Sequence, residues 1–293
     1  MLRRVLVALL SVAGLVAHGV PGGTPMDFGR AGFVGEFHPG TSGRPQYAVL
    51  VLGGAEGGVP TPLAEFFASQ GLPTLALAYF GAKGLPGELE GIPLEYFQKP
   101  VEWLLAQPSC RRDGLIVVGW SKGAELSLVL AGREPRIRGV VAIAPSCERW
   151  PGIAKDWHRT AGASWTLHGE PLPFLPYEPH GAKNLFDLYR LALAHTADAE
   201  RAHIPVAPIR ARVLLLSGGK DDVWPSEAMA ETLCARARAA GKGDAFRHVH
   251  YPEVGHLLGR LFLKQTGPEA HPARREILNF VSSLEGPGTQ PTR

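Results

Sequence analysis

The sequence predicts an α/β fold, a mostly parallel sheet with helices on both faces, and three observations carry that prediction. Short uninterrupted apolar runs, the mark of strands buried on both faces, recur in "YAVLVL", "PTLALAYF", "LIVV", "GVVAIA" and "ARVLLL". Between them lie segments with apolar positions at helical intervals, and this alternation has the spacing of crossover units. Finally, 293 residues with 45% apolar and 19% charged content suffice for one large domain and exclude a disordered or fibrous chain.

Each element follows in order. Tyr47 to Gly54 reads as a strand entering a glycine loop, Thr61 to Gly71 as a helix, and Pro73 to Phe80 as the next strand. Ile92 to Gln107 carries Leu94, Phe97, Val101, Leu104 and Leu105 on one helical face. Leu115 to Val118 is a strand, with a helix from the following turn to Leu130. Ile137 to Ser146 and Ala211 to Gly219 are further strands, Glu227 to Ala240 a helix, Phe246 to Pro252 a strand and Ala273 to Leu284 a closing helix. The domain is therefore expected over 47–284, after a lead segment at 18–46 and before a tail at 285–293. From Cys147 to Pro208 the rhythm breaks, and a structureless loop of that length would be unusual in a compact domain. An inserted cap over about 147–208 is the expectation, holding Trp150, Trp157, Trp165, Phe174, Tyr177, Phe186 and Tyr189. Most of these aromatics should pack the cap onto the body. A few should line a pocket, because the excursion leaves the sheet at a carboxyl strand end.

The first residues, "MLRRVLVALLSVAGLVAHG", combine Arg3 and Arg4 with an apolar stretch from Val5 to Ala17. That is the layout of a secretory signal over residues 1–17, too short to span a bilayer. Export to the periplasm or exterior is expected if the signal is real, and a cytoplasmic location otherwise, with transient membrane contact through this segment. A net charge of +3, from 30 basic and 27 acidic residues without a basic block, argues against a nucleic-acid partner. Cys110, Cys147 and Cys234 are odd in number and lack metal-ligand spacing, so they read as inert thiols. No cofactor and no metal are expected.

The chemistry centres on "LIVVGWSKGAEL", where strand, Gly-Trp-Ser-Lys-Gly turn and helix succeed one another. A serine there needs a base to take its proton and a carboxylate to fix that base. In hydrolases on such sheets the chain order is serine, acid, histidine. Ser121, then Asp221 or Asp222 after a buried strand, then His256 after the last strand supply that order. Asp221 is favoured, three residues after Gly218 and four before Pro225, whereas Asp222 could cap the next helix. His248 and His250 alternate within a strand, and His158, His168 and His180 lie in the cap. Charge on a tetrahedral intermediate needs backbone donors: the N–H of Lys122, and one from Ala55 or Glu56 in "GGAEGG". That loop matches neither the lysine-bearing phosphate loop nor the dinucleotide pattern.

These segments together, with "GLPTLALAYFG", "LPGELEGIPLEYFQKPVEWLL", "GWSKGAELSL", "IPVAPIRARVLLLSGGKDDVWPS" and "YPEVGHLL", resemble the C-terminal catalytic domain of the acyl-CoA thioesterase / bile acid-CoA:amino acid N-acyltransferase family. The resemblance covers roughly Tyr47 to Leu284 and implies an α/β-hydrolase fold related to dienelactone hydrolases. It implies a Ser121, Asp221 and His256 triad and a shared lysine at Lys122. Members with the full architecture carry an N-terminal β-sandwich domain, and only a short lead precedes Tyr47 here. The conjugating branch uses cysteine as nucleophile, so serine at 121 implies hydrolysis. A small-molecule acyl thioester is the expected substrate, with non-CoA esters as the alternative and a non-catalytic binding protein behind both. If CoA is the leaving group, Arg149, Lys155, Arg159 and Lys183 are candidates to meet its phosphates.

Overall fold

The computed structural model describes residues 22–286 apart from 157, 158, 160, 178, 179, 195–198, 265, 266, 268 and 269. The expected signal at 1–17, together with Trp157 and His158, lies outside the described residues. In chain order the strands are β1 (Thr24–Met26), β2 (Val34–His38), β3 (Gln46–Leu52), β4 (Thr74–Ala78), β5 (Ile92–Pro93), β6 (Cys110–Trp120), β7 (Ile137–Ile143), β8 (Trp165–Leu167), β9 (Glu170–Pro171), β10 (Arg212–Lys220) and β11 (Phe246–Gly255). The helices are α1 (Phe28–Ala31), α2 (Thr61–Ala68), α3 (Gln98–Leu105), α4 (Lys122–Ala131), α5 (Leu185–Ala194), α6 (Ala199–Ala202), α7 (Ser226–Ala239), α8 (Leu261–Lys264) and α9 (Pro272–Leu284).

Eight strands form one sheet in the order β1-β2-β4-β3-β6-β7-β10-β11, and a small second sheet joins β5, β8 and β9. From β4 to β11 every pairing in the large sheet is parallel, while β1 and β2 are antiparallel. The continuous apolar runs have a direct cause. In β3, Ala48, Leu50 and Leu52 enter one core with residues of α3, α4 and α7, while Val49 and Val51 enter the other with residues of α2 and α9. In β6, Leu115 and Val117 face the first core, and Ile116 and Val118 the second. Strand order reverses between β3 and β6, and the loops leaving their carboxyl ends are "GGAEGG" and the Ser121 turn. Such a switch point is where open sheets of this kind take ligands.

Three boundaries differ from the sequence expectation. The lead at 18–46 supplies β1 and β2 to the sheet, so the domain reaches back beyond Tyr47. Phe33 and Phe37 near this edge pack edge-on to Trp103 of α3, at 5.6 and 5.0 Å between ring centres. The tail is anchored at its first residue, where the Tyr47 N–H donates to the Glu285 carboxylate at 2.5 Å. Ile92 to Gln107 is not one helix: Ile92 pairs with Trp165 across the small sheet, a 3-10 turn spans Leu94–Phe97, and α3 starts at Gln98. Pro93 has no N–H for a helix interior, whereas Pro100 falls in the first turn of α3, where none is needed.

The 147–208 segment leaves after β7, contributes β8, β9, α5 and α6, and packs tightly on the body. Trp150, Trp165 and Tyr189 are buried in the core. Tyr189 stands edge-on to Trp150 at 4.7 Å and to Trp224 at 5.4 Å.

Candidate active site

Strand β6 ends at Trp120 and α4 begins at Lys122, so the chain turns on Ser121 alone. Its φ of 54° is a left-handed conformation that costs a residue with a side chain ~1–2 kcal/mol. The flanking glycines serve a different need, close approach. A Cβ on Gly119 would strike the Gly123 carbonyl and the Ser127 hydroxyl, and one on Gly123 would strike the carbonyls of Leu52 and Gly53. The Ser121 N–H donates to the Ile143 carbonyl at 2.9 Å, and its own carbonyl accepts from the Ala124 and Glu125 N–H groups. Its hydroxyl caps nothing in α4. Backbone is thereby fixed while the side chain stays uncommitted.

Asp221 follows β10, and its carboxylate is held by three donors. Oδ1 accepts from the Val223 and Trp224 N–H groups at 3.0 and 3.2 Å, and Oδ2 from the Ser226 hydroxyl at 2.6 Å. Both oxygens also lie 2.9 Å from His256 Nδ1. Asp222 is exposed, and α7 begins after Pro225 with no side-chain cap, so the alternative capping role for Asp222 is not taken up.

His256 opens a turn in which Leu257, Leu258, Gly259 and Arg260 all have positive φ. Leu257 and Leu258 are buried in the core that holds Trp120, and the Arg260 guanidinium lies 4.8 Å from the Trp120 ring centre. The histidine turn is thus tied to the residue before Ser121. Trp224 stands edge-on to the His256 ring at 5.7 Å. Among the described residues no hydrogen bond joins Ser121 to His256, a contact that in such sites tightens when substrate binds.

Three other histidines are engaged elsewhere. His248 Nε2 and His250 Nδ1 lie 2.7 and 3.0 Å from the Ser217 hydroxyl, with Glu227 3.3 Å from His250 Nε2. This mimics a serine–histidine–glutamate array, but Ser217 is 0% exposed and cannot meet a substrate. His168 pairs with Glu95 at 3.2 Å on the surface. The three cysteines are buried and unbridged. Burial raises the Cys110 thiol to about 11 and also pushes up Cys147 and Cys234, which keeps all three protonated.

Lys122 is the first residue of α4, so its N–H has no acceptor within the helix. The glycine loop after β3 lies directly against the turn, and a Cβ on Gly54 would come 3.2 Å from the Ser121 Cβ. Two side chains pin that loop. The Tyr79 hydroxyl donates to the Gly53 carbonyl at 2.7 Å, and the Trp120 indole donates to the Glu56 carboxylate at 2.6 Å. Burial, with the nearby charges of Glu56 and Glu125, keeps the Tyr79 hydroxyl protonated well above its ordinary range. Ala55 follows Gly54 and is half-buried, whereas Glu56 spends its carboxylate on Trp120.

Sequence reading passed over Ser226, Tyr79 and Glu125. The cue for Ser226 was its place at the head of a helix after Pro225, and for Glu125 its spacing of one turn from Lys122. The cations singled out for CoA phosphates divide. Arg149 is buried and donates to the Pro173 and Arg201 carbonyls, at 2.7 and 2.5 Å, and Arg159 pairs with Glu88 and Glu90 at 2.6 and 2.7 Å. Arg149 is consumed by the fold, whereas Arg159, paired at the surface, is exposed, as are Lys155 and Lys183.

The family described as BAAT / acyl-CoA thioester hydrolase C terminal matches residues 92–260. Human mitochondrial acyl-coenzyme A thioesterase 2 is 30% identical over 217 residues, covering 72% of this chain and 42% of the relative. Mouse acyl-coenzyme A amino acid N-acyltransferase 2 is 28% identical over 217 residues, covering 72% and 48%. The chain therefore spans less than half the length of either relative. Among solved structures, an esterase of Pyrococcus furiosus has a TM-score of 0.55 at 14% identity, covering 92% of this chain and 100% of that one. A dienelactone hydrolase-like promiscuous phosphotriesterase from metagenomic libraries has a TM-score of 0.53 at 15% identity, covering 87% and 93%. At such identities they show the fold, that of an α/β hydrolase. With the family match extending over more than half of its residues, the chain belongs to the BAAT / acyl-CoA thioester hydrolase C-terminal family.

Proposed function

We propose that this chain is a serine hydrolase that cleaves acyl thioesters or esters through Ser121, His256 and Asp221. The observation that carries the reading is the Asp221 carboxylate, fixed by three donors and bonded through both oxygens to His256 Nδ1. An imidazole so held carries its proton on Nδ1 and offers Nε2 as the base. His256 Nε2 takes the Ser121 proton as Oγ bonds to the acyl carbon. The resulting oxyanion rests on the Lys122 N–H and an N–H of the glycine loop, at Ala55 or Glu56. The carbon–sulfur or carbon–oxygen bond then breaks, and His256 returns the proton to the leaving group. Water, deprotonated by His256, releases the acid and restores Ser121.

The relatives' names point to an acyl-CoA thioester as substrate. A second reading, hydrolysis of non-CoA esters, is favoured by one observation: of the four cations anticipated for CoA phosphates, Arg149 is buried on backbone carbonyls and Arg159 is paired with two surface glutamates. A panel of acyl-CoAs and matched aryl esters separates the two. If CoA is the leaving group, Lys155→Glu with Lys183→Glu raises KM for the acyl-CoA several-fold and spares the neutral ester. Equal effects on both, or no cleavage of any acyl-CoA by the unaltered chain, leave the ester reading.

The acid assignment has its own test. Asp221→Asn is expected to lower kcat by roughly 10⁴-fold, as loss of the tautomer-fixing carboxylate does in related triads. Asp222→Asn should stay within about twofold, because its exposed carboxylate, although next in the chain to Asp221, makes no bond to His256. The reverse ranking in two folded proteins would move the acid to residue 222.

A further inference from the structure

We propose that the buried Lys122–Glu125 ion pair is a positioning device that aims the Lys122 backbone N–H, by clamping the first turn of α4 to the segment carrying Trp150 and Trp165. The inference rests on the serine-hydrolase reading.

Lys122 and Glu125 are 1% and 0% exposed, and Nζ lies 2.6 Å from Glu125 Oε2. The other carboxylate oxygen, Oε1, accepts from the Trp165 indole at 2.6 Å and from the Trp150 N–H at 3.4 Å. Lys122 Nζ also donates to the Trp150 carbonyl at 3.4 Å, which accepts the Ser164 hydroxyl at 2.9 Å as well. The ammonium sits 5.4 Å from the Trp165 ring centre. All these contacts of the pair fall either on the other member or on one short stretch of the 147–208 segment.

Stability does not explain such a pair. Taking two charges out of water costs several kcal/mol per ion, and apolar side chains of similar volume often serve a fold as well or better. Burial pushes the Lys122 ammonium down in pKa and the Glu125 carboxyl up, with each opposed by its partner. An ion pair supplies fixed direction instead. Lys122 is the residue after the strained Ser121, and its N–H is the helix-terminal donor nearest the reacting carbonyl. An oxyanion donor is effective only when aimed at where charge develops, and losing one costs about 10²–10³-fold in kcat. On the opposite side, Gly123 abuts the Leu52 and Gly53 carbonyls, so the turn is held from both flanks.

The decisive variant is Lys122→Met with Glu125→Leu, which removes both charges together and keeps volume. Labelling of Ser121 by a fluorophosphonate is followed by mass spectrometry; Oγ bonds to phosphorus, fluoride leaves, and His256 takes the serine proton. Steady-state kinetics on an aryl ester run beside it. The double variant is expected to label at least 10-fold more slowly and to lose kcat 10- to 100-fold, with KM within twofold and little change in Tm. Labelling and kcat at the unaltered level in the folded double variant overturn the proposal and leave the hydrolase reading standing. Absence of Ser121 labelling in the unaltered chain overturns both. Should the double variant not fold, Trp165→Phe removes one clamp donor and keeps the pair. A several-fold loss of kcat at constant KM then supports the proposal, and unchanged kcat overturns it.

Discussion

Ser121→Ala should leave a folded chain whose hydrolysis of esters and thioesters falls by roughly four to six orders of magnitude. Alanine keeps the Cβ and hence the same positive-φ strain, so Tm should barely move. What disappears is the covalent route: without Oγ, His256 has no nucleophile to deprotonate, and the oxyanion donors alone retain a residual effect. His256→Ala should be nearly as damaging, because His248 and His250 are bound to the buried Ser217 and cannot substitute. Near-normal turnover by a contamination-free Ser121→Ala preparation would remove the assignment of nucleophile.

The largest loss of stability is expected from Gly123→Ala. The added methyl would land on the carbonyl oxygens of Leu52 and Gly53, which are backbone of a central strand and its exit loop and cannot swing aside. A cost at or above the upper end of ordinary overpacking, ~3 kcal/mol, corresponds to a Tm lower by roughly 6–12 °C for a chain of this size. Gly91→Ala is the matched control. Gly91 has a φ of +64° with open space around it, so only backbone strain is at stake, about 1–2 kcal/mol. Thermal denaturation of both decides the point. Equal losses would mean that the strand end and loop give way to the added methyl, and that close approach is not what requires glycine at 123.

The legibility of this molecule follows burial. Strands covered on both faces leave uninterrupted apolar runs, and β3, β4, β6, β7 and β10 were readable for that reason. Strands β1 and β2 at the antiparallel edge leave only the weak alternation of "FVGEF", which a glycine interrupts, so they merged with the lead. Strand β5 was masked by helical periodicity because its partner, Trp165, lies far along the chain and only the folded state brings the two together. At the site, Ser121, Asp221 and His256 stood out through short-range spacing next to strand ends. Glu125 did not, since a lysine and a glutamate one helical turn apart ordinarily mark a solvated face. Arg149 erred in the opposite direction: in a stretch rich in prolines and aromatics it looked like surface, yet its guanidinium ties buried carbonyls together.

The edge-on contact between Trp224 and His256 also gives the molecule an optical handle. Tryptophan emission responds to a charge close to its ring, and the imidazole centre lies 5.7 Å from that of Trp224. Trp224 is buried and meets Tyr189 edge-on on another side. Protonation of the imidazole, or arrival of an acyl group on Ser121, should therefore register as a change in near-ultraviolet emission that Trp224→Phe abolishes. Occupancy of the crevice could then be followed in real time in unlabelled protein, before any substrate has been identified by its products.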